Sequence, residues 1–259
     1  MPNFKPIPGK FVWFEHVSKD AKKAQSFYGE VLGWQTRAFP MGPSSYDMIC
    51  LGDSLDSMIG GYGAPRGDQP AHWISYLSVE DVDATAQAVT ANGGRVIDKP
   101  FDIPTVGRTA RVADPQGAEL CLFKSDGGDP PDGVAPHGGW VWNELHTSDP
   151  AKAIAFYEKV IGYTHKSMNM GPSEVYHVLL RDGVDRAGVT PLLQKNQRPS
   201  WLPYVSVTDV DATIARARKL GATIPMEPED IPEVGRLCPL IDPTGAPLAV
   251  IKPLPRAKP

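Results

Sequence analysis

The chain has 259 residues, which is long for one domain of ordinary size and predicts two domains of roughly 120 to 130 residues. Its 41% apolar and 22% charged residues are globular values, and no stretch approaches the roughly 18 to 20 apolar residues that a membrane-spanning helix requires. The net charge of -4, without a basic stripe, excludes the usual electrostatic footprint of a nucleic-acid-binding protein. We therefore expect neither membrane nor nucleic acid as a partner, and a small molecule remains.

The first ten residues and the cysteines bear on the compartment. Met1 to Lys10 contains proline and lysine but no apolar segment, so we expect no signal peptide and a cytoplasmic protein. Cys50, Cys121 and Cys238 are odd in number, far apart and without Cys-x-x-Cys spacing. This pattern predicts buried, reduced thiols and argues against a disulfide framework.

The chain repeats itself. Three blocks recur in one order at nearly one spacing: 11–37 with 140–166, 73–83 with 201–211, and 102–117 with 230–245. Between the copies, residues 125–139 are rich in glycine, proline and aspartate, as linkers are. We therefore predict an N-terminal domain at 1–124, a linker at 125–139 and a C-terminal domain at 140–259.

Each copy divides into two units of the same order. Residues 11–17 alternate as a strand does, and a helix follows, with Asp20 as N-cap, an apolar stripe at Ala24, Phe27, Tyr28, Val31 and Leu32, and Gly33 as its end. Strands are predicted near 34–39, 46–51 and 57–61. The second unit has a strand at 73–79, a helix from Asp81 to about Asn92, and strands near 95–98, 107–113 and 118–123, the last two joined by a type I turn at Asp114-Pro115-Gln116-Gly117. Four βαβββ units fit in the chain.

These motifs resemble those of a known family. Asp20, the Phe27-Tyr28 pair and Gly33-Trp34 open the first unit, and Asp-Pro-x-Gly at Asp114 closes the second; both recur from Asp149 and at Asp242. The combination, over residues 11–252, is similar to the vicinal-oxygen-chelate superfamily of glyoxalases, bleomycin-resistance proteins and dioxygenases, and within it to a tandem two-domain bacterial subgroup. The resemblance implies an α+β fold of two tandem glyoxalase-like domains, each of two βαβββ units whose curved mixed sheets enclose a cleft.

The resemblance also implies where a metal would bind. Typical members hold a divalent ion with His, Glu or Gln from the first strands of both units and from the last strand. Those positions carry Trp13, Ile74 and Cys121 in the first domain and Trp142, Leu202 and Ala249 in the second. An indole, a thiol and an alkyl group do not make a site for such an ion, so we predict no metal and no other cofactor.

Polar side chains stand two residues further along the same strands. They are Glu15, Tyr76 and Glu119 in the first domain, and Glu144, Tyr204 and Pro247 in the second. Because strand side chains alternate with period two, these face the same cleft. One hypothesis makes Glu15 and Glu119 a catalytic acid and base, since burial and mutual repulsion raise the pKa of one carboxyl. The alternative is structural, with both carboxylates accepting hydrogen bonds and no turnover.

Two further features leave alternatives open. Glu144, His146 and His177 are the one conceivable metal cluster of the second domain, although an inward histidine is more often a hydrogen-bonded core residue. The loops Met41-Gly42-Pro43-Ser44 and Met170-Gly171-Pro172-Ser173, each followed by a tyrosine (Tyr46, Tyr176), suit either a lid over an apolar ligand or a plain hairpin turn.

We expect a protein that binds a small organic molecule in aromatic clefts lined by Trp13, Tyr76, Cys121, Trp142, Glu144 and Tyr204. The alternatives are a metal-dependent lyase, isomerase or dioxygenase, and a non-enzymatic drug-sequestering protein. Four units in one chain allow a monomer and leave a dimer open.

Overall fold

The computed structural model describes residues 4–41, 44–171, 174–194 and 196–254, with the side chains of 169–171 and 174 left aside. Within these ranges there are sixteen strands and four helices. The strands are β1 (Phe11–Val17), β2 (Gln35–Met41), β3 (Ser44–Cys50), β4 (Met58–Gly63), β5 (His72–Ser78), β6 (Arg95–Ile103), β7 (Gly107–Ala113), β8 (Glu119–Ser125), β9 (Trp140–Thr147), β10 (Thr164–Gly171), β11 (Glu174–Arg181), β12 (Val184–Pro191), β13 (Ser200–Ser206), β14 (Glu229–Ile231), β15 (Gly235–Ile241) and β16 (Pro247–Pro253). The helices are α1 (Ala21–Leu32), α2 (Val82–Ala91), α3 (Pro150–Ile161) and α4 (Val210–Lys219). The order βαβββ occurs four times, which confirms the predicted α+β class.

The strands form two eight-stranded sheets with matching order. The first runs β2-β3-β4-β1-β5-β8-β7-β6 and the second β10-β11-β12-β9-β13-β16-β15-β14. Within each βαβββ unit the first strand pairs in parallel with the last, as β1 does with β4 and β5 with β8. The other strand pairs within a βαβββ unit are antiparallel. No helix in the described part of the chain is long and apolar enough to cross a bilayer.

The helix boundaries follow from local chemistry. Asp20 precedes α1 and its carboxylate accepts a hydrogen bond from the backbone N–H of Lys23 at 3.0 Å, which satisfies a donor that the first turn leaves open. Gly33 ends the helix with φ of 74°, a left-handed conformation that glycine adopts without steric cost. The predicted stripe on α1 is buried in full. Asp81, Asp149 and Asp209 cap the other helices in the same way.

The strand predictions needed three corrections. β6 continues past Pro100 to Ile103, because β6 is an edge strand and a proline there breaks no ladder hydrogen bond. In the second copy β14 has only three residues, since Pro225 and Pro228 lie just before it. Residue 57 belongs to a short 3₁₀ helix, Leu55–Ser57, rather than to β4.

Contacts divide the chain into two compact bodies, which we call unit 1 and unit 2 and which are distinct from the four βαβββ units. They cut across the sequence repeat. Unit 1 comprises Met1–Trp13, Ile74–Gly133 and Trp142–Leu202, and unit 2 comprises Phe14–Trp73, Val134–Val141 and Pro203–Pro259. Each unit therefore combines one βαβββ segment from each copy of the repeat. The domain boundaries read from the repeat stay a prediction. The three cysteines are free and buried, which confirms the prediction made from their spacing.

Unit 1 has an apolar core between α2 and α3. Strands β5, β8, β9 and β11 contribute fully buried leucines to it: Leu77, Leu122, Leu145 and Leu179. Full burial of such a side chain stabilises the fold by about 1.5–3 kcal/mol. Tyr157 lies in this core and its hydroxyl donates to Asp114 at 3.4 Å. The Phe-Tyr motif of one copy thus meets the Asp-Pro-x-Gly motif of the other.

Unit 2 repeats this pairing and adds a histidine. The Tyr28 hydroxyl donates to Asp242 at 2.9 Å and accepts from the Trp73 indole N–H at 3.1 Å. His16 is fully buried, and its Nε2 lies 2.8 Å from the same Asp242 oxygen. Unit 1 has Leu145 at the position of His16 in the aligned repeat. His16 therefore lies on the side of β1 that faces Tyr28 of α1, and its partner is a buried carboxylate.

The difference at His16 changes the electrostatics of the two aspartates. Burial raises the pKa of Asp114 above its ordinary value, and backbone hydrogen bonds oppose this only in part. Burial also acts on Asp242, but the hydrogen bond and the electrostatic attraction of His16, with further hydrogen bonds, bring its pKa below the ordinary value. The two Asp-Pro-x-Gly turns thus share their backbone hydrogen bonds, but the pKa values of their aspartates are shifted in opposite directions.

Candidate ligand-binding faces

The face of β9 in unit 1 carries several of the predicted site residues. Trp142, Glu144 and His146 alternate along this strand and therefore share one side of it. The His146 Nε2 lies 2.8 Å from Glu144 Oε1, and the other ring nitrogen lies 3.2 Å from the side-chain amide of Gln197. Glu144 and His146 side chains are only 12% and 4% exposed. The His146 imidazole thus orients the Glu144 carboxylate, and Gln197 in turn orients the imidazole.

Tyr176 on β11 lies over the same face. Its hydroxyl accepts a hydrogen bond from the Trp142 indole N–H at 2.8 Å. Burial, followed by the neighbouring Glu144 carboxylate, raises the pKa of Tyr176 well above its ordinary value, so the phenol stays protonated. Gly188 on β12 makes this possible, because a Cβ at that position would collide with the Tyr176 hydroxyl.

The corresponding face in unit 2 has the same plan with fewer polar groups. The Tyr46 hydroxyl donates to Glu15 Oε1 at 2.7 Å. Tyr46 lies over Gly61, where a Cβ would collide with its ring, and Glu15 Oε1 would lie 2.7 Å from a Cβ at Gly63. The repeated tyrosine, glycine and glutamate therefore form one arrangement that occurs twice.

Unit 1 also contains the predicted residues of β5 and β8. Tyr76 pairs in register with Cys121, and its ring meets Phe123 edge to face at 5.9 Å. Glu119 forms an ion pair with Arg111 of β7, through Nε at 2.9 Å and through Nη2 at 2.7 Å. Arg111 is 8% exposed, so this cation is almost fully withdrawn from water. Both donors contact the same carboxylate oxygen, Oε2.

The remaining predicted residues have simpler surroundings. Trp13 on β1 is partly exposed, whereas Tyr204 on β13 is buried opposite Ala249 of β16. The proposed pairing of Glu15 with Glu119 stays a prediction. The alternative cluster of Glu144, His146 and His177 is not assembled: the His177 side chain bonds Ser167 and lies against His165, because it follows Tyr176 and so points to the other side of β11. Of the two loops, Gly42, Pro43, Pro172 and Ser173 lie outside the described residues.

Sequence reasoning missed Arg111 and did not assign Tyr46 and Tyr176 to the faces. The signal for the tyrosines was their recurrence close behind the two loops, two residues after Ser44 and three residues after Ser173. The signal for Arg111 was a cation among the apolar residues Ala110, Val112 and Ala113 of β7. Three of the six tryptophans serve the core instead of a ligand face: Trp34, Trp73 and Trp201 are all less than 10% exposed.

Known proteins with similar sequences and folds agree with this architecture. A family model described as "Glyoxalase/Bleomycin resistance protein/Dioxygenase superfamily" matches residues 10–122, and one described as "Glyoxalase-like domain" matches 142–251. The chain is 36% identical over 248 residues to "Putative glyoxylase CFP32" of Mycobacterium tuberculosis (strain CDC 1551 / Oshkosh), covering 94% of this chain and 95% of that protein. The chain belongs to the glyoxalase/bleomycin resistance protein/dioxygenase superfamily. Its two eight-stranded sheets are those of two tandem glyoxalase-like domains.

Further members of the superfamily have diverse names. "Anthracycline biosynthesis protein DauV" of Streptomyces sp. (strain C5) is 31% identical, covering 95% of this chain and 94% of its own length. The Mn(II)-bound glyoxalase from Novosphingobium aromaticivorans superposes with a TM-score of 0.65 at 17% identity, covering 95% of this chain and 82% of that one. The 2,3-dioxygenase LapB from Pseudomonas sp. KL28 gives 0.65 at 14% identity, covering 99% and 97%. At these identities the solved structures support the fold alone.

Proposed function

We propose that this superfamily member binds a small organic molecule on the faces around Glu144 and Glu15, and that it does so without the divalent metal of its relatives. The observation that carries the proposal is the Glu144 arrangement. A buried carboxylate, fixed by His146, lies beside the apolar surfaces of Trp142 and Tyr176. Small-molecule sites are built in this way, with mostly apolar walls and a few oriented polar groups.

The chemistry of the side chains supports the metal-free part. At the positions where the family resemblance implies ligands, the first domain has Trp13, Ile74 and Cys121, and the second has Trp142, Leu202 and Ala249. Among the described residues no three His, Cys, Asp or Glu side chains group as a metal site would require. The Trp142 indole nitrogen carries a proton that it donates to Tyr176, so it offers no lone pair to a cation. The residues do not fit a divalent ion.

Two relatives are named for anthracycline biosynthesis, which favours a planar, hydroxylated aromatic compound as the ligand. Hydroxyl donors of such a compound would meet the Glu144 carboxylate, and its rings would lie against the indole and the phenol. Aromatic pairs of this kind contribute about 0.5–1.5 kcal/mol each beyond the area that they bury.

The test is a thermal-shift screen with anthracycline-type and simpler phenolic compounds, because a compound that binds only the native state raises its stability. We expect a hit whose effect is lost in Glu144→Gln and kept in Glu158→Gln, a matched control in which another carboxylate, at the surface, bonds His165. Equal loss in both variants, or stoichiometric Fe, Mn, Ni or Zn in protein purified without chelator, would refute the proposal.

A second candidate is acid-base turnover of the bound molecule. It is favoured by the Glu144–His146 pair, since a carboxylate and an imidazole in hydrogen-bond contact exchange a proton readily. The pair of Glu15 and Glu119 fits acid-base turnover less well, because Glu119 is already in an ion pair with Arg111. A hit that is chemically unchanged after long incubation supports sequestration alone. Conversion that survives in Glu15→Gln and Glu119→Gln but stops in Glu144→Gln assigns turnover to the Glu144 face.

A further inference from the structure

A surface pocket of about 380 Å³ lies in unit 2, between the start of α1 and the turn at Thr244. Ser18 and Gln69 line it, and each has an unsatisfied polar atom. Ser18 is only 4% exposed. Its hydroxyl and the buried amide oxygen of Gln69 have no hydrogen-bond partner among the described residues. Buried polar atoms are seldom left unpaired without a reason, because each costs about 1–3 kcal/mol of desolvation.

The equivalent place in unit 1 is filled by a side chain. Gln116 follows Asp114 as Thr244 follows Asp242. Its amide oxygen accepts hydrogen bonds from the Asp149 backbone N–H at 2.7 Å and from the Ser148 hydroxyl, and its amide nitrogen donates to the Asp149 carbonyl at 2.9 Å. A primary carboxamide therefore bonds both backbone groups of the residue that caps α3.

Unit 2 has the same cap without the carboxamide. Asp20 caps α1 as Asp149 caps α3, but Thr244 is too short to reach it, and its hydroxyl donates instead to Asp242 at 2.6 Å. The shorter side chain leaves the space that Gln116 occupies in unit 1 as the Thr244 pocket.

A second glutamine differs between the units. Gln69 and Gln197 each stand four residues before a buried tryptophan. The Gln197 oxygen accepts from the Leu193 N–H at 3.1 Å, whereas the Gln69 oxygen lines the pocket with no donor. The hydroxyl of Thr147, the counterpart of Ser18, is also unpaired, so the contrast depends on the two glutamines and on Thr244.

We propose that the Thr244 pocket binds a small molecule with a primary carboxamide, whose amide group occupies the place that the Gln116 side chain fills in unit 1. The amide nitrogen supplies donors for the Asp20 carbonyl and the Gln69 oxygen, and the amide oxygen accepts from the Asp20 N–H. Charges at the rim extend the match to a zwitterion. Lys19 and Lys23 line the pocket together with Asp68, and Lys19 Nζ lies 2.7 Å from Asp68.

The probe is L-glutamine, which carries the same carboxamide as Gln116 and both charged groups of an amino acid. In an NMR titration of the full chain we expect saturable shifts of the Asp20 and Gln69 amides, with a dissociation constant in the millimolar range, on the order of what ten heavy atoms achieve. L-glutamate should bind at least about tenfold more weakly, because its carboxylate offers no donor to the Gln69 oxygen.

Two reciprocal variants use one unit as the control for the other. Thr244→Gln should fill the pocket and abolish the shifts at Asp20, while Gln116→Thr should open the equivalent place and add a second set of shifts at Asp149. The proposal is overturned by non-saturable shifts in the unaltered chain, by glutamate binding as well as glutamine, or by folded Thr244→Gln that still binds. If Thr244→Gln does not fold, Lys23→Ala decides: about fivefold weaker binding supports the site, since a rim cation is lost, and unchanged binding rejects it.

Discussion

The buried His16–Asp242 pair gives the most direct prediction, because the other unit carries its natural replacement. We expect His16→Leu to reproduce in unit 2 the arrangement that Leu145 and Asp114 have in unit 1. Leucine and histidine are similar in size and Leu145 is fully buried, so little packing should be lost. Removing one partner of a buried ion pair costs about 3–5 kcal/mol when the other is left uncompensated.

Asp242 would not be left uncompensated. Tyr28 at 2.9 Å and the backbone N–H groups of Thr244, Gly245 and Ala246, at 2.7 to 3.1 Å, still donate to it. The loss should therefore be near that of one hydrogen bond to a charged group, about 2 kcal/mol at pH 7.

The pH dependence has a defined sign. The folded pKa of Asp242 lies below its ordinary value, so the stabilisation is present above the unfolded pKa of about 4 and is lost as the pH falls through the folded value. Urea unfolding of the unaltered chain and of His16→Leu, followed by tryptophan fluorescence at pH 7 and at pH 3, should show a difference that shrinks in acid. The control Leu145→Met should cost under about 1.5 kcal/mol at both pH values. A His16→Leu deficit that is absent at pH 7, or equal at both, would refute the reasoning.

Two further predictions concern the ligand faces. Gly188→Ala should displace the Tyr176 ring, because the new Cβ collides with its hydroxyl; we expect a loss of about 1–3 kcal/mol and a shifted indole N–H signal of the tryptophan that donates to it. Arg111→Met should cost about 3 kcal/mol at pH 7 by leaving the partly buried Glu119 without its cation. Arg108→Met, which breaks more exposed ion pairs of the same strand, should cost under about 1 kcal/mol, and an equal effect of the two arginine variants in urea unfolding would contradict the burial argument.

Local chemistry made most of the fold predictable. Asp20 and Gly33 mark the ends of α1 because a carboxylate cap and a left-handed glycine act on the nearest residues alone. The repeat then carried the same assignment to α3. β6 is longer than the predicted 95–98, because a proline at a sheet edge interrupts no ladder and the sequence does not show which strand lies at an edge.

Long-range partners were beyond such reasoning. The alternation of residues 11–17 separates the two sides of β1, but nothing in the pattern indicates that Asp242, 226 residues from His16, meets it. Arg111 was missed for the same reason, since its meaning depends on Glu119 across a strand pair. Periodicity tells which face a side chain takes, and only the assembled fold tells what lies opposite.

Each compact unit contains segments of both sequence copies, which limits where the chain can be cut into stable fragments. α1 packs with α4 in unit 2, and α2 packs with α3 in unit 1, so each helix contacts one from the other copy. A fragment ending in the linker would carry α1 and α2 without the helices that pack against them, α4 and α3. Such a half-chain would meet its missing surfaces on a second molecule of itself, which makes fragment self-association, rather than an independently stable half, the natural outcome of cutting there.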